Sequence, residues 1–200
     1  MKLIDTIMSL PPVYRLWMAP FAERKIAPIL AHNDLRRARR VLDVGCGPGT
    51  NTHHFSSAEY LGIDLNERYI QDALSRYDKR FIAADVAKFV VAPDERFDFI
   101  LVNSFLHHID NPTTTSILSN LSKLLTADGH IHILELVLPE SASMARFLAL
   151  SDRGKFPRPR EEWERLFGEA FEPVVFEPYH FGAAGFALWQ MVYFKGRART

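Results

Sequence analysis

VLDVGCGPGT, at residues 41–50, is an apolar run that leads directly into three glycines at alternate positions. Glycine is needed where the backbone turns sharply and approaches a ligand with no Cβ in the way. The stretch therefore predicts a buried strand, a tight turn and a helix start whose free N–H groups can bind an anionic group. Its spacing is G-x-G-x-G, and Thr50 stands where the dinucleotide-binding pattern G-x-G-x-x-G has its last glycine.

Short apolar runs continue after this loop and alternate with stretches that suit helices. Such alternation predicts β-α-β units and a parallel sheet. The predicted strands are residues 40–44, 59–64, 80–84, 97–103 and 129–136, and the predicted helices are 51–56, 67–77 and 113–125. Residues 99–102 are apolar throughout, as in a strand covered by helices on both faces. The fold class is therefore α/β, with a doubly wound, mostly parallel sheet.

The last quarter of the chain has a different pattern. Residues 171–181 and 185–194 are rich in aromatic side chains, and the short glycine-containing connection 180–185 lies between them. Aromatic runs joined in this way are typical of an antiparallel hairpin. Two further strands would complete a seven-stranded sheet.

Composition limits the class of protein. Two hundred residues that are 48% hydrophobic suit one domain, and the 24 Lys and Arg balance the 24 Asp and Glu, so no overall field favours nucleic acid. The single cysteine, Cys46, excludes an internal disulfide and fits a reducing cytoplasm. Residues 1–10 lack a signal-peptide pattern, and no run of eighteen apolar residues predicts a membrane span. We expect a cytoplasmic protein.

Three further motifs follow the glycine loop in order. YLGID ends at Asp64, FIAADV contains Asp85, and FDFILVNSFLHHI occupies residues 97–109. Together with the loop and the preceding Asp43, this series resembles the motifs of the class I S-adenosylmethionine-dependent methyltransferases. The resemblance covers residues 41–139, about half of the chain.

The resemblance implies a cofactor, S-adenosylmethionine, with S-adenosylhomocysteine as its product. It also implies that Asp64 binds the ribose hydroxyls, that Asp85 bonds the adenine amino group, and that Val86 packs on the ring. The full set of expected cofactor-binding residues is Asp43, Gly45, Cys46, Gly47, Gly49, Asp64, Leu65, Asp85, Val86 and Asn103.

The implied reaction is in-line transfer of the methyl group to a small-molecule or lipid-like acceptor, with orientation as the main catalytic effect. His107 and His108 follow the fourth strand, where sheets of this kind place ligands, so they are the candidates for a general base. One of two adjacent histidines often packs into the structure instead. Glu135 is a rival base, or else a carboxylate bonded by a helix N-terminus.

Two other functions remain open at this point. An RNA or protein methyltransferase is suggested only by the basic run at Arg36, Arg37, Arg39 and Arg40, which also suits a solvated helix end. A non-catalytic S-adenosylmethionine-binding protein would keep the loop without an acceptor site.

The segments outside the core carry the clues to the acceptor. Residues 151–160 hold four basic residues and one acid, so Arg158 or Arg160 could bind an anionic group on the acceptor, or the loop could simply be solvated. Residues 1–40 hold eight basic residues and three acids, which would allow peripheral contact with an anionic membrane. Prolines 11, 12, 20 and 28 disfavour the continuous helix that such contact prefers. The aromatic face formed by Tyr14, Trp17 and Phe21 is predicted to dock on the core, with a wall of the acceptor site as the alternative.

Histidine pairs at residues 53–54, 107–108 and 130 with 132 raise the question of a metal. No cysteine and no matching ligand spacing accompanies them, so we predict no metal site.

We expect one domain over residues 1–200. It comprises an N-terminal helical cap (1–40), a cofactor-binding core (41–138), an acceptor-side loop and helix (139–160), and a helix with the C-terminal hairpin (161–200).

Overall fold

The computed structural model describes residues 21–92, 94–152, 154–183 and 186–199. Seven strands form its sheet: β1 (Arg40–Val44), β2 (Glu59–Asp64), β3 (Arg80–Ala83), β4 (Phe97–Asn103), β5 (Leu125–Leu136), β6 (Phe171–Ala183) and β7 (Phe186–Ala198). Their order is β3-β2-β1-β4-β5-β7-β6. Strands β1 to β5 are parallel, and β7 is antiparallel to both β5 and β6. The predicted fold class, with its antiparallel C-terminal hairpin, is confirmed.

The helices in the described ranges are α1 (Ala22–His32), α2 (Glu67–Arg76), α3 (Asn111–Ser122), α4 (Met144–Ser151) and α5 (Arg160–Ala170). Short 3-10 helices occupy Leu35–Arg37, Thr52–Phe55 and Leu106–His108. The Asn66 side chain accepts a hydrogen bond from the Arg68 N–H at the start of α2, and the Asp110 side chain accepts one from the Thr113 N–H at the start of α3. Caps of this kind satisfy N–H groups that the helix itself leaves unbonded. None of the described helices is long and apolar enough to cross a membrane.

Helices cover both faces of the sheet. On one face, α3 and α5 pack against alternate strand residues such as Leu42 and Val44. On the other face, α1 and α2 pack against the residues between them, such as Val41. Side chains alternate across a strand, so strands buried on both faces are apolar throughout.

Three predicted boundaries were wrong. The expected helix at 51–56 is only a 3-10 turn, Thr52–Phe55. The helix predicted to reach residue 125 ends at Ser122, and β5 begins four residues before the predicted residue 129. The reason is that Leu125 pairs with Phe97, which extends the β4–β5 ladder through an irregularity.

The hairpin is also longer than predicted. The expected connection at 180–185 is largely strand, because His180 pairs with Gln190 and Gly182 with Ala187. Strand β6 contains Pro173 and Pro178, which lack the N–H of a ladder hydrogen bond. It tolerates both because it is an edge strand, paired only with β7.

The N-terminal prolines had been expected to break a helix. Pro28 instead lies buried within α1, which is continuous from Ala22 to His32, so that prediction was wrong at this position. Phe21 packs on Phe181 and Trp189, with ring centroids 5.9 and 4.7 Å away, so it docks on the core. The other predicted members of the aromatic face, residues 14 and 17, and prolines 11, 12 and 20 lie outside the described residues.

Candidate functional site

The glycine loop after β1 bends back over the end of β2. The N–H groups of Gly45 and Cys46 both donate to the Ile63 carbonyl, at 2.8 and 3.0 Å. The φ angles of the three glycines, at positions 45, 47 and 49, lie between 56° and 75°, in the left-handed region that side chains disfavour. A Cβ on Gly45 would also lie 3.1 Å from the Cβ of Phe105. The loop conformation thus depends on glycine, as the sequence indicated.

Asp64, at the carboxyl end of β2, is tied to this loop. Its Oδ2 accepts a hydrogen bond from the Gly47 N–H at 2.9 Å, and its Oδ1 accepts one from the Asn66 N–H at 2.8 Å. Burial raises the pKa of the Asp64 carboxyl, while the two N–H donors oppose that rise. Each carboxylate oxygen can accept a second hydrogen bond, so the group remains able to bind hydroxyls.

Asp43 lies fully buried beneath the loop. Its Oδ2 accepts a 2.6 Å hydrogen bond from the Tyr60 hydroxyl, and its Oδ1 has no partner at normal hydrogen-bond geometry. Burial raises the pKa of the carboxyl to about 7, although the Tyr60 and Asn51 side chains both lower it. Asp43 is thus held by Tyr60 on one side, and its other oxygen lies near Asn51 without a well-formed hydrogen bond.

Other buried oxygens around the loop are unbonded as well. They are Thr50 Oγ1, Thr52 Oγ1 and Asn103 Oδ1. Buried polar atoms in folded proteins are nearly always hydrogen bonded, because an unmade bond in the interior is costly. A concentration of them at one loop indicates a place where a polar ligand supplies the missing bonds.

Cys46 has a structural environment. Its side chain is 3% exposed, and a Cβ on Gly62 of β2 would lie 2.9 Å from its sulfur. Burial raises the pKa of the thiol. A protonated, buried thiol is a small apolar side chain and not a nucleophile.

The predicted adenine-side residues leave the sheet at the same edge. Asp64 pairs with Ala83 across β2 and β3, so Leu65 and Asp85 follow neighbouring strand ends. Leu65 is 75% exposed, and Val86 is partly buried against the core. An oxygen of Asp85 accepts a hydrogen bond from the Ala87 N–H at 3.0 Å. This edge therefore offers an exposed apolar side chain beside a partly solvated carboxylate.

His107 is buried between two carboxylates. Its Nδ1 lies 2.8 Å from Glu135 Oε2, and its Nε2 lies 3.3 Å from Asp152 Oδ1. Burial by itself lowers the pKa of His107, but the two carboxylates outweigh it and raise the pKa to about 9. His107 is therefore a cation at neutral pH with both ring nitrogens engaged, an arrangement that does not favour it as a general base.

Glu135 holds the turn that carries His107. It is fully buried on β5, and its Oε1 accepts hydrogen bonds from the Phe105 and Leu106 N–H groups at 2.7 and 2.6 Å. Burial raises the pKa of Glu135, but His107 and these donors lower it overall. Of the two interpretations offered by the sequence, the carboxylate bonded by a helix N-terminus is the one the geometry fits.

Arg158 does not face an acceptor, contrary to the expectation for the basic segment. It is 2% exposed, and its guanidinium donates to the carbonyl oxygens of Leu106 and Ile109 at 3.1 and 2.5 Å. The guanidinium also lies 4.6 Å from the centroid of the Trp163 ring. With its donors used within the protein, Arg158 fixes the His107 turn, so its guanidinium fits neither of the two alternatives that the sequence left open, an anion site or a solvated loop. Arg160 remains at the surface, 3.3 Å from a Glu161 oxygen.

His108 belongs to one of two groups of side chains in the described ranges that lie close enough together to hold a metal ion. His108 is exposed, and its ring centroid lies 4.2 Å from that of His107. Two groups among the described residues bring three possible metal ligands within 4.8 Å of one another: Glu23 with His53 and His54, and His107 with His108 and Asp152. The ion pairs of His107 account for the second group without a metal.

Of the third histidine pair, only His132 belongs to the core, while His130 is partly exposed. His132 is 1% exposed, its ring stacks on Phe99 at 3.9 Å, and its Nδ1 lies 3.0 Å from the Tyr193 hydroxyl. Burial holds the pKa of His132 well below its usual value, so the ring is neutral. It contributes packing and one hydrogen bond.

Sequence reasoning missed Lys25 and Asp152. Lys25 on α1 is 8% exposed and lines a small cavity with Gly45, Thr50 and Asn103. A signal was present, because Lys25 shares the apolar face of α1 with Ile29, four residues on. Asp152 carried no signal, since only the folded chain brings it to His107.

A larger cavity, of about 560 Å³, lies elsewhere, where the ends of β5 and α5 meet the hairpin. Its walls include Val137, Glu140, Arg160, Glu161, His180 and Gln190. None of the predicted cofactor residues lines it.

Comparison with known proteins gives consistent matches. Residues 41–129 match the family described as "Methyltransferase domain". Trans-aconitate 2-methyltransferase of Delftia acidovorans is 28% identical over 153 residues, 74% of this chain and 55% of that protein. The protein of the same name from Paracidovorax citrulli is 32% identical over 107 residues, 50% of this chain and 40% of that protein. The chain thus spans about half the length of the curated relatives it matches.

Solved structures agree in fold. The 1,6-didemethyltoxoflavin-N1-methyltransferase of Burkholderia thailandensis, with bound 1,6-didemethyltoxoflavin and S-adenosylhomocysteine, has a TM-score of 0.72 and 23% identity, covering 98% of this chain and 86% of its own. The N-methyltransferase NodS of Bradyrhizobium japonicum, in complex with S-adenosylhomocysteine, has a TM-score of 0.69 and 19% identity, covering 90% of this chain and 86% of its own.

Proposed function

We propose that the chain is a class I S-adenosylmethionine-dependent methyltransferase that transfers the cofactor's methyl group to a small molecule carrying a carboxylate. The observation that carries the proposal is the group of unbonded buried oxygens around a left-handed glycine loop, with Asp64 at the next strand end. This is the polar, preorganised surface that a nucleoside-containing ligand needs at the carboxyl edge of a doubly wound sheet.

The residues present fit the cofactor. Asp64 has capacity left for the ribose hydroxyls, and the exposed Leu65 with Val86 gives an apolar surface for the adenine ring. The Asp85 carboxylate would accept a hydrogen bond from the adenine amino group. Around the loop, Asp43, Gly45, Cys46, Gly47, Gly49 and Asn103 would hold the amino-acid end. When bound, the cofactor supplies a methyl group already activated by its sulfonium.

A carboxylate acceptor is supported by the relatives, whose name specifies trans-aconitate, a carboxylic acid. Its oxygen is already anionic at neutral pH, so it can form the new O–CH₃ bond with its own electron pair as the S–CH₃ bond breaks toward sulfur. No proton moves in this step. We therefore propose that the chain works by alignment of acceptor and methyl donor and by exclusion of water, effects worth roughly 7–11 kcal/mol of barrier.

His107 and His108 would have different roles in this reaction. His107 acts as a positioning residue that fixes the turn after β4 through Glu135 and Asp152. His108 is exposed on the same turn and would serve as a base only for an acceptor with a proton to lose, such as an alcohol or amine. The His108→Ala variant should therefore keep its kcat with a carboxylic acid.

The RNA alternative finds little support in the basic run. Arg36 pairs with Asp34 at 2.8 Å, and Arg40 lies 3.4 Å from a Glu59 oxygen. Asp98 accepts hydrogen bonds from the backbone N–H groups of Arg39 and Arg40. Acids that neutralise this run weaken it as a phosphate-binding surface.

The cytoplasmic location stays a prediction.

The test uses the purified chain with methyl-labelled S-adenosylmethionine and a panel of acceptors. The panel contains trans-aconitate, other small di- and tricarboxylic acids, a medium-chain fatty acid for the lipid-like alternative, and an RNA pool. We expect label in base-labile methyl esters of one carboxylic acid. Label in RNA alone, or cofactor binding with no methyl transfer to any member, would overturn the proposal, and the second result would favour a non-catalytic binding protein.

A further inference from the structure

Lys25 is a buried cation without a partner among the residues that the structure describes. Its side chain is 8% exposed, and its ammonium has neither a hydrogen bond nor an ion pair within the described ranges. Lysine is almost never buried unless it is paired, because taking an ammonium out of water is costly. A lysine in this state is suited to bind an anion that the described residues do not supply.

The position of Lys25 is fixed by its surroundings. Its backbone carbonyl accepts a 2.8 Å hydrogen bond from the Tyr179 hydroxyl on β6, which ties α1 to the hairpin. Burial lowers the pKa of Lys25 to about 8, and the carboxylates of Glu135 on β5 and Asp152 after α4 partly offset this. Neither acid pairs with it directly, since both are engaged with His107.

Lys25 borders the space beside the glycine loop. Lys25 and Ala22 of α1 line a cavity opposite Gly45, Thr50 and Asn103. Thr50 Oγ1 and Asn103 Oδ1 are two of the buried oxygens that lack a partner. The enclosed space is about 20 Å³, close to the volume that one water molecule needs, so only a small polar group fits without movement of α1.

We propose that the Lys25 ammonium binds a carboxylate in this cavity and so anchors the carboxylate end of a ligand of the transfer reaction. The inference rests on the proposed function. A carboxylate is the smallest common organic anion, and it can accept from the ammonium while the Thr50 hydroxyl donates to it. It has two sources in this reaction, the amino-acid end of the cofactor and the acceptor.

The test compares Lys25→Met with Lys123→Met, which removes an exposed lysine at the end of α3. Calorimetry measures the affinities for S-adenosylhomocysteine and for 5′-methylthioadenosine, which lacks the amino-acid end. If the cofactor supplies the carboxylate, Lys25→Met weakens S-adenosylhomocysteine binding about 10- to 100-fold and leaves 5′-methylthioadenosine binding unchanged. If the acceptor supplies the carboxylate, both nucleoside affinities are unchanged in Lys25→Met. The KM for the carboxylic acid then rises about 10- to 100-fold, with little change in kcat.

Thermal unfolding separates binding from folding. Removal of an unpaired buried charge should leave the melting temperature of Lys25→Met equal to or above that of the wild type. The inference is overturned if Lys25→Met matches Lys123→Met in both affinities and in KM, or if it weakens both nucleosides equally. If the wild-type chain binds neither nucleoside, the proposed function fails instead, so the two failures are distinct.

Discussion

The carboxyl edge of the sheet has two halves, which differ in whether their buried polar groups are hydrogen bonded or paired. The loop half, formed by Asp43, residues 45–52, Asp64 and Asn103, contains four buried oxygens without hydrogen bonds. The clamp half, formed by His107, Glu135, Asp152 and Arg158, pairs its charged groups with one another or with backbone groups. A buried polar group is therefore not a sign of a ligand site by itself. The informative feature is a buried polar group that the protein leaves unbonded.

The two halves also differ in the balance between buried cations and buried anions. The clamp half contains two cations and two anions, so its buried charges balance locally. Among the described residues, no cation pairs with Asp43 or Asp64 in the loop half, and burial raises the pKa of both carboxyls. Removing one member of a balanced cluster leaves an uncompensated buried charge and destabilises the fold, whereas an unbalanced cluster keeps its capacity for a ligand.

The largest expected effect is a loss of stability when His107 of the clamp half is replaced. His107→Gln leaves Glu135 and Asp152 without their shared cation, and breaking a buried ion pair costs about 3–5 kcal/mol. We expect a loss of this size in the free energy of unfolding at pH 6, measured by urea denaturation. His180→Gln, at an exposed position of β6, is the control and should change it by less than about 0.5 kcal/mol.

The same variant has a pH signature. The pKa of folded His107 is about 9, above its ordinary value of 6.5, so its contribution is complete below pH 6.5 and is lost as the pH rises through 9. The shift corresponds to about 3 kcal/mol at most. The difference in stability between the wild type and His107→Gln should therefore shrink between pH 6.5 and 9.5. A difference that is independent of pH would argue against a charged His107.

A smaller effect is expected on ligand binding at the loop half. Gly45→Val places a β-branched side chain at a φ of 70° and against Phe105, so the loop must distort. We expect affinity for S-adenosylhomocysteine to fall about 100-fold, equivalent to about 2.7 kcal/mol. Gly168→Val is the matched control, because a Cβ on Gly168 of α5 would meet nothing within 4 Å. Equal affinities for the two variants would mean that the loop is not the binding site.

The smallest of the three effects concerns Asp64. In Asp64→Asn an amide NH₂ replaces an oxygen that accepts from either the Gly47 or the Asn66 N–H, so one donor loses its partner. We expect affinity for S-adenosylhomocysteine to fall about 10-fold. Asp78→Asn, in the exposed turn before β3, is the control. An unchanged affinity in Asp64→Asn would remove Asp64 from the proposed site.

The sequence predicted the loop half well because its signals are local. Three glycines two residues apart, together with a strand that ends in Asp64, specify the bend whatever lies elsewhere in the chain. The clamp half depends on contacts between distant segments. Arg158 looks like a surface arginine in a basic loop, and only the fold brings its guanidinium to the carbonyl oxygens of Leu106 and Ile109.

The same distinction explains the errors in the fold. Pro28 and Pro173 break helices and strands by local rules, yet α1 and β6 continue through them because tertiary packing and an edge position compensate. Strand β5 starts early because β4 offers a partner to Leu125, and no pattern within residues 125–128 announces it.

A crystal structure of the chain with S-adenosylhomocysteine bound would show whether the unbonded buried oxygens mark the ligand site. We predict that the ligand lies across the glycine loop, with its ribose hydroxyls on Asp64, and that the unpaired oxygens of Thr50 and Asn103 gain hydrogen bonds from the ligand or from ordered water. A ligand bound elsewhere, or at the loop with these oxygens still unbonded, would contradict the claim that unbonded buried oxygens mark the site.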